Sequence, residues 1–94
     1  MSGILVEGGQ GNEVEDALIS DSGLDGIQLK NTQFTEIERV QITHSGHASI
    51  TLVSADNTTI EGSKLRDSLA LFISGPSSHL VLSHDQLSGV ITAA

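Results

Sequence analysis

The sequence predicts an all-β solenoid in which four coils of about 23 residues stack on one another. Three observations predict this fold: aliphatic residues recur at a fixed period, they alternate with polar residues as in strands, and large aromatic residues are almost absent. The 94 residues are expected to form a single domain, residues 1–94, cut from a longer solenoid. With two Phe and no Trp or Tyr, its core must consist of stacked Ile, Leu and Val.

Aliphatic residues recur in four columns along the chain. The first two columns keep intervals of 23, 23 and 22 residues, the third ends on an aromatic residue, and the fourth breaks at a serine. In order, the columns are Val14, Ile37, Ile60 and Leu82; Ile19, Ile42, Leu65 and Leu87; Ile4, Ile27, Ile50 and Phe72; and Val6, Leu29, Leu52 and Ser74. A repeat of this kind indicates stacked copies of one structural unit.

The sequence does not decide which residues of the last unit point inward. At the 22-residue interval Phe72 points inward and Ser74 interrupts the fourth column. A shift of one residue would turn Leu71 and Ile73 inward instead, because neighbouring residues of a strand face opposite sides.

Each unit is expected to consist of short strands joined by turns. The stretches GILV, GIQL and SITL each carry apolar residues at positions i and i+2, whereas Gly, Ser, Asn and Asp fill the intervals. Equivalent residues of successive coils then lie about 4.8 Å apart, so inward aliphatic side chains form continuous ladders. Asp16 lies one coil below Arg39, and Glu7 one coil below Lys30, which predicts ion pairs between coils.

Charge and composition exclude several partners. The net charge is −8, with four basic residues against twelve acidic ones, so nucleic acid and anionic membrane surfaces are not expected to bind. A polyanionic polysaccharide would also be repelled unless a cation or a local basic patch intervened. No apolar run approaches the ~20 residues of a membrane span.

Two sequence segments resemble the coils of a known superfamily. NEVEDALISDSGLDGIQL at residues 12–29 and NTTIEGSKLRDS at residues 57–68 are similar to coils of pectate-lyase-like proteins, which are right-handed parallel β-helices. The resemblance extends from Gly3 to about Val90. It implies a right-handed parallel β-helix, the fold shared by polysaccharide lyases, polygalacturonases, mannuronan C5-epimerases and phage tailspikes.

The resemblance also implies two classes of function. In the first, the chain belongs to a carbohydrate-active protein of the epimerase or lyase type; in the second, it is a non-catalytic assembly module, as in the shaft of a tailspike or adhesin. Both imply an extracellular or virion-surface location. GLDG at residues 23–26 loosely matches the first polygalacturonase motif, but the other two motifs and the epimerase D-P-H motif are absent. A complete active site is therefore not expected within these coils, and whether the chain is an enzyme stays open.

One column of polar residues has the composition of a catalytic site. Asp21, His44 and Asp67 are separated by the 23-residue period, and Arg66 is adjacent to the third. An imidazole between two carboxylates can act as an acid or a base, and removal of the C5 proton of a uronic acid requires a base. In this hypothesis His44 is the base and Arg66 faces the substrate carboxylate.

Asp25 and His47 follow this column by a few residues and are predicted to contact the substrate. All these residues lie at turns, where Asp and His are also common because their side chains hydrogen-bond to the local backbone. A purely structural role in the turns is the alternative.

A second column contains Glu15, Glu38 and Glu61. Stacked carboxylates can bind Ca²⁺, which prefers several oxygen ligands and would bridge to an acidic glycan. The alternative is an outward strand face whose charges are screened by water.

The two ends of the stack have one uncovered face each, and the sequence contains no helical cap. Such ends favour end-to-end or side-by-side association of copies, or a continuation of the chain.

Overall fold

The computed structural model describes residues 3–67, 69–74 and 79–93, which form thirteen β-strands and no helix. The first coil contains β1 (Ile4–Glu7), β2 (Glu13–Glu15) and β3 (Leu18–Ser20). The second contains β4 (Ile27–Lys30), β5 (Gln33–Glu38) and β6 (Gln41–Thr43), and the third contains β7 (Ile50–Val53), β8 (Asp56–Glu61) and β9 (Lys64–Leu65). The fourth contains β10 (Leu69–Ser74), β11 (Val81–Ser83) and β12 (Gln86–Leu87), and β13 (Val90–Ala93) begins the next coil.

Equivalent strands of successive coils form three parallel sheets. Sheet A contains β1, β4, β7, β10 and β13, sheet B contains β2, β5, β8 and β11, and sheet C contains β3, β6, β9 and β12. The pairing is parallel, so backbone N–H and C=O groups bond to the coils on either side. This is the predicted solenoid of stacked coils.

The inward side chains form the aliphatic ladders that the sequence predicts. In sheet A, Ile4 pairs with Ile27 and Ile27 with Ile50, while in sheet B Val14 pairs with Ile37. Ile27, Ile37 and Ile50 are fully buried, whereas Ile4 keeps part of its side chain exposed because it belongs to the first coil. Burial therefore depends on having a coil on both sides.

The register of β10 corrects the third column. Leu71, not Phe72, pairs with Ile50, and Phe72 pairs with Thr51. The assignment of Phe72 to the inward ladder is therefore wrong, and the alternative register, with Leu71 and Ile73 in the ladders, is the one observed. Ile73 pairs with Leu52, so the fourth column continues instead of ending at Ser74.

Ion pairs between coils centre on Arg39. Its guanidinium contacts Asp16 at 2.7 Å, which confirms the predicted pair, and also contacts Glu15 at 3.0 Å and Glu38 at 3.1 Å. Glu7 pairs in register with Lys30, yet no ion pair joins these two described residues.

Candidate functional site

The candidate site lies at the turns that connect a sheet C strand with the next sheet A strand, here called the C–A turns. Ile42 pairs with Leu65 and Ile50 pairs with Leu71, so the C–A turn of the third coil is two residues shorter than that of the second. An open cleft of about 620 Å³, the C–A cleft, lies at these two turns. Its lining residues are Thr43, His44, Ser45, Gly46, His47, Arg66 and Asp67.

The first coil supports the longer turn from one side. The Gly46 N–H donates to the Ser22 carbonyl and the His47 N–H donates to the Leu24 carbonyl, each at 2.8 Å. A Cβ atom on Gly46 would collide with the backbone carbonyl of Gly23. Glycine is therefore required at this position by the close approach of two backbones.

Asp67 joins the shorter turn to the longer one. Its side chain is buried, and its carboxylate accepts the Ser45 N–H at 2.8 Å and the Ser49 hydroxyl at 2.6 Å. These two hydrogen bonds tie the Asp67 carboxylate to the longer turn, so Asp67 fixes the wall of the C–A cleft.

Of the two histidines that line the C–A cleft, His47 is the one whose imidazole is held by a carboxylate. Its Nδ1 lies 2.8 Å from Oδ1 of Asp25, and the same oxygen accepts the Ala48 N–H at 3.1 Å. The Asp25 side chain is 7% exposed, whereas that of His47 is 45% exposed. The Phe72 ring contacts the imidazole edge-on, with ring centroids 5.1 Å apart. Because a carboxylate only accepts, it favours the Nδ1–H tautomer and leaves the Nε2 lone pair unused.

The structure brings together four of the six residues that the sequence predicts for catalysis and substrate binding. His44, His47, Arg66 and Asp67 line the C–A cleft, and Asp25 lies behind His47. Asp21 is exposed and does not line the cleft.

The predicted column of Asp21, His44 and Asp67 is only partly preserved. Asp21 and His44 share a left-handed backbone, with φ of 56° and 55°, and both are exposed. Asp67 leaves this pattern and turns inward to Ser45 and Ser49. No hydrogen bond joins His44 to either carboxylate, although all three residues are described. The catalytic role of His44 stays a prediction, and the geometry favours His47 as the oriented imidazole.

Arg66 supplies the positive charge of the C–A cleft. Its side chain is exposed and forms no ion pair with any of the described residues, in contrast to Arg39. On a chain with a net charge of −8, this guanidinium lies in the cleft beside two imidazoles, while the carboxylate of Asp67, which also lines the cleft, is bonded to Ser45 and Ser49. Sequence reasoning missed the contribution of Phe72, which the assumed register placed in the core.

The glutamate column forms part of an acidic face on the outside of sheet B, composed of Glu13, Glu15, Glu36, Glu38 and Glu61. Glu15 pairs with Glu38 and Glu38 with Glu61, as the period predicts. Arg39 contacts two of these three carboxylates, so a cation of the protein already offsets part of their charge. Within the described part of the chain, no group of three or more His, Asp or Glu residues is arranged to hold a metal ion. The Ca²⁺ prediction therefore gains no support from the geometry.

The acidic face makes stability depend on pH. A hydrogen bond with Glu15 and the neighbouring carboxylates raise the pKa of Glu13 above 4.5, and a hydrogen bond with Glu38, together with burial and neighbouring charges, raises the pKa of Glu36. Burial likewise raises the pKa of Asp85 above 3.8. The folded protein thus holds these protons more tightly than the unfolded chain, and the resulting stability is lost as pH rises through the raised values.

We expect the melting temperature to be higher at pH 5 than at pH 7, since the raised carboxyl pKa values of the folded state lie above those of the unfolded chain. Thermal unfolding followed by circular dichroism at both pH values measures this difference. Glu36→Gln should reduce it, whereas Arg39→Gln should enlarge it by removing the only cation that contacts the described glutamates of this face. A melting temperature that falls on acidification to pH 5 would contradict the assignment.

The fold defines a class of protein before any comparison is made: three stacked parallel sheets form a β-solenoid. The family described as "Right handed beta helix region" matches residues 1–89, and the chain belongs to this family. The predicted right-handed parallel β-helix is thereby confirmed. No curated protein and no solved structure matches the chain. Among the described residues there is no helix long and apolar enough to cross a bilayer.

Proposed function

We propose that the chain is a polysaccharide-binding segment of a carbohydrate-active protein, and that the C–A cleft binds a uronic acid residue of an acidic polysaccharide. The observation that carries this proposal is the convergence of Arg66, His44 and His47 on one cleft of an otherwise acidic chain. The guanidinium offsets, at one place, part of the repulsion that the net charge imposes on a polyanion.

Arg66 is the group best suited to the sugar carboxylate. A guanidinium presents donors in a planar fork that matches a carboxylate with two parallel hydrogen bonds. Because Arg66 has no ion-pair partner among the described residues, binding a uronate does not first require an internal pair to break. The imidazoles of His44 and His47 line the same cleft and offer hydrogen bonds to the sugar hydroxyls.

His47 gives the C–A cleft a group able to move a proton. Asp25 holds Nδ1, Phe72 packs against the ring, and Nε2 remains for the ligand. A buried carboxylate that orients an exposed imidazole is the arrangement used for general base catalysis. If the segment removes the C5 proton of a uronate, His47 is therefore the base that the geometry favours over His44.

The first test is the affinity of the chain for oligogalacturonate and oligomannuronate, measured by isothermal titration. Arg66→Ala is expected to weaken binding by about tenfold or more, because a charge-assisted hydrogen bond contributes roughly 1.5–3 kcal/mol. His47→Ala should weaken it less, since an imidazole offers fewer hydrogen bonds than a guanidinium. Binding should also weaken as salt is added.

Lys64→Ala is the matched control, because Lys64 carries the same charge, lies two residues before Arg66 and does not line the C–A cleft. Its affinity should stay close to that of the unmodified chain. Equal losses in the Lys64 and Arg66 variants would indicate unspecific attraction, and an absence of binding by either polymer would leave the assembly role as the better description.

Turnover is tested separately by proton NMR of the chain incubated with alginate and pectate. This measurement reports both unsaturated chain ends and inverted C5 centres. Turnover that disappears in His47→Ala but persists in His44→Ala would identify the base, and the reverse pattern would restore His44 to that role. Unchanged spectra together with measurable binding would define the segment as a binding module.

A further inference from the structure

A second concave site lies on the outer side of sheet B, away from the C–A turns. It is a groove of about 370 Å³, here called the sheet B groove. Its lining residues are Phe34, Glu36, Asn57, Thr59, His79 and Val81, which come from the second, third and fourth coils. The volume falls within the range of sites that hold a small ligand.

Phe34 is the unusual residue of the sheet B groove. It occupies a column with Gly11, Asn57 and His79, and all four residues have a left-handed backbone, with φ between 53° and 66°. Glycine and asparagine adopt this conformation readily, whereas a bulky side chain does so at an energetic cost.

The Phe34 side chain recovers little of that cost by burial. The residue is 56% exposed and does not belong to the core. Strained backbone positions are concentrated at functional sites, where the strain is retained for the sake of a ligand contact. An exposed aromatic ring, in a conformation that suits glycine and beside a groove, thus points to a ligand.

We propose that the sheet B groove binds a neutral sugar residue of a polysaccharide, with the ring of Phe34 against the apolar C–H face of the pyranose. The polar side chains of the groove include a carboxylate, an amide and a hydroxyl, from Glu36, Asn57 and Thr59. Together they offer both donors and acceptors, which is what sugar hydroxyls require.

The charge of the groove selects a neutral ligand over an anionic one. Glu36 belongs to the acidic face, where Glu13 is its pairing partner on the neighbouring strand and Glu38 lies two residues along the same strand. A uronate would add another negative charge, so the sheet B groove and the C–A cleft are expected to differ in ligand charge. The inference thereby goes beyond the proposed uronate site and does not depend on it.

The test is an NMR titration of the ¹⁵N-labelled chain with neutral glucose, mannose and galactose hexasaccharides. The amides of Phe34, Asn57 and Val81 should shift with a neutral hexasaccharide and not with hexagalacturonate. Phe34→Asn, which introduces the residue found one coil later, should abolish these shifts and raise the melting temperature by relieving strain. Phe34→Gly, which copies Gly11, provides a second variant with the same expected loss.

Leu18→Asn is the matched control, because Leu18 is also an exposed apolar side chain but lies on sheet C. This variant should bind the neutral hexasaccharide as the unmodified chain does. The proposal is overturned if no neutral sugar shifts these amides, if Phe34→Asn binds normally, or if Phe34→Asn lowers the melting temperature. Amide shifts caused by hexagalacturonate and confined to the C–A turns report on the proposed uronate site alone. Failure of the uronate site and failure of the neutral-sugar site can therefore be told apart.

Discussion

Replacing Ile50 by alanine is expected to destabilise the protein by about 2–5 kcal/mol, the usual range for removing a large aliphatic side chain from a packed core. Ile50 is fully buried and lies between Ile27 and Leu71 in the sheet A ladder. Its loss leaves a cavity with a packed neighbour on either side. Since domains of this size are stable by about 5–15 kcal/mol, urea unfolding followed by circular dichroism will resolve the effect.

Ile4→Ala is the matched control in the same ladder. Ile4 is partly exposed, and Ile27 on one side is its pairing partner among the described residues. Its replacement should cost clearly less than that of Ile50, because the site is already open to water. Equal losses of unfolding free energy at the two positions would contradict this explanation, because they would mean that stability does not depend on having a coil on both sides.

The second large effect is expected for Asp67→Ala. The substitution leaves the partly buried Ser45 N–H and the buried Ser49 hydroxyl without their acceptor. A buried donor without a partner costs about 1–3 kcal/mol, so we expect a loss of about 3 kcal/mol in the free energy of unfolding. The uronate affinity of the C–A cleft should fall as well, because Asp67 fixes its wall.

Asp67→Asn and Asp21→Asn are the controls for this effect. At Asp67 asparagine keeps one acceptor oxygen and should retain part of the stability, whereas Asp21 is exposed and asparagine tolerates its left-handed backbone, so this replacement should change little. If Asp67→Ala lowers uronate affinity without lowering stability, Asp67 contacts the ligand and is not part of the support of the turn.

The stacking of the aliphatic ladders could be predicted from the sequence, because it follows directly from the repeat. Strand alternation and a 23-residue interval determine which aliphatic side chains stack, and the ladders through Val14, Ile19 and Ile27 agree with the columns. These columns depend on parallel pairing in register, which is a regular geometry.

The register of the third and fourth coils could not be predicted by counting. A single 22-residue interval placed Phe72 inward, but Ile42 and Leu65 are 23 residues apart whereas Ile50 and Leu71 are 21 apart. The interval therefore varies within one coil, according to the length of each turn. Turn length is set by local backbone geometry, which leaves no periodic signal in the sequence.

In the candidate site, too, the repeat predicted which turns lie together but not where each side chain points. The 23-residue period correctly placed His44 and Arg66 at the C–A turns. It also aligned Asp67 with His44, although the Asp67 side chain turns inward. The pairing of Asp25 with His47 spans 22 residues and falls between columns, so counting alone does not single it out. Side-chain direction at a turn follows from the backbone dihedral angles, and these could not be derived from spacing.

The shortened C–A turn has a consequence for how proteins of this kind change over time. Although the turn is two residues shorter, Leu71 and Ile73 still reach the partners that the next ladder requires. The shorter corner thus leaves the pairing of β10 with β7 regular, whereas the pairing of β10 with β13 shifts register between Leu69 and Leu71. Selection can therefore alter what a corner recognises by changing its length while the stack stays intact. For this reason two β-helices with the same coil pattern are free to diverge in their ligands.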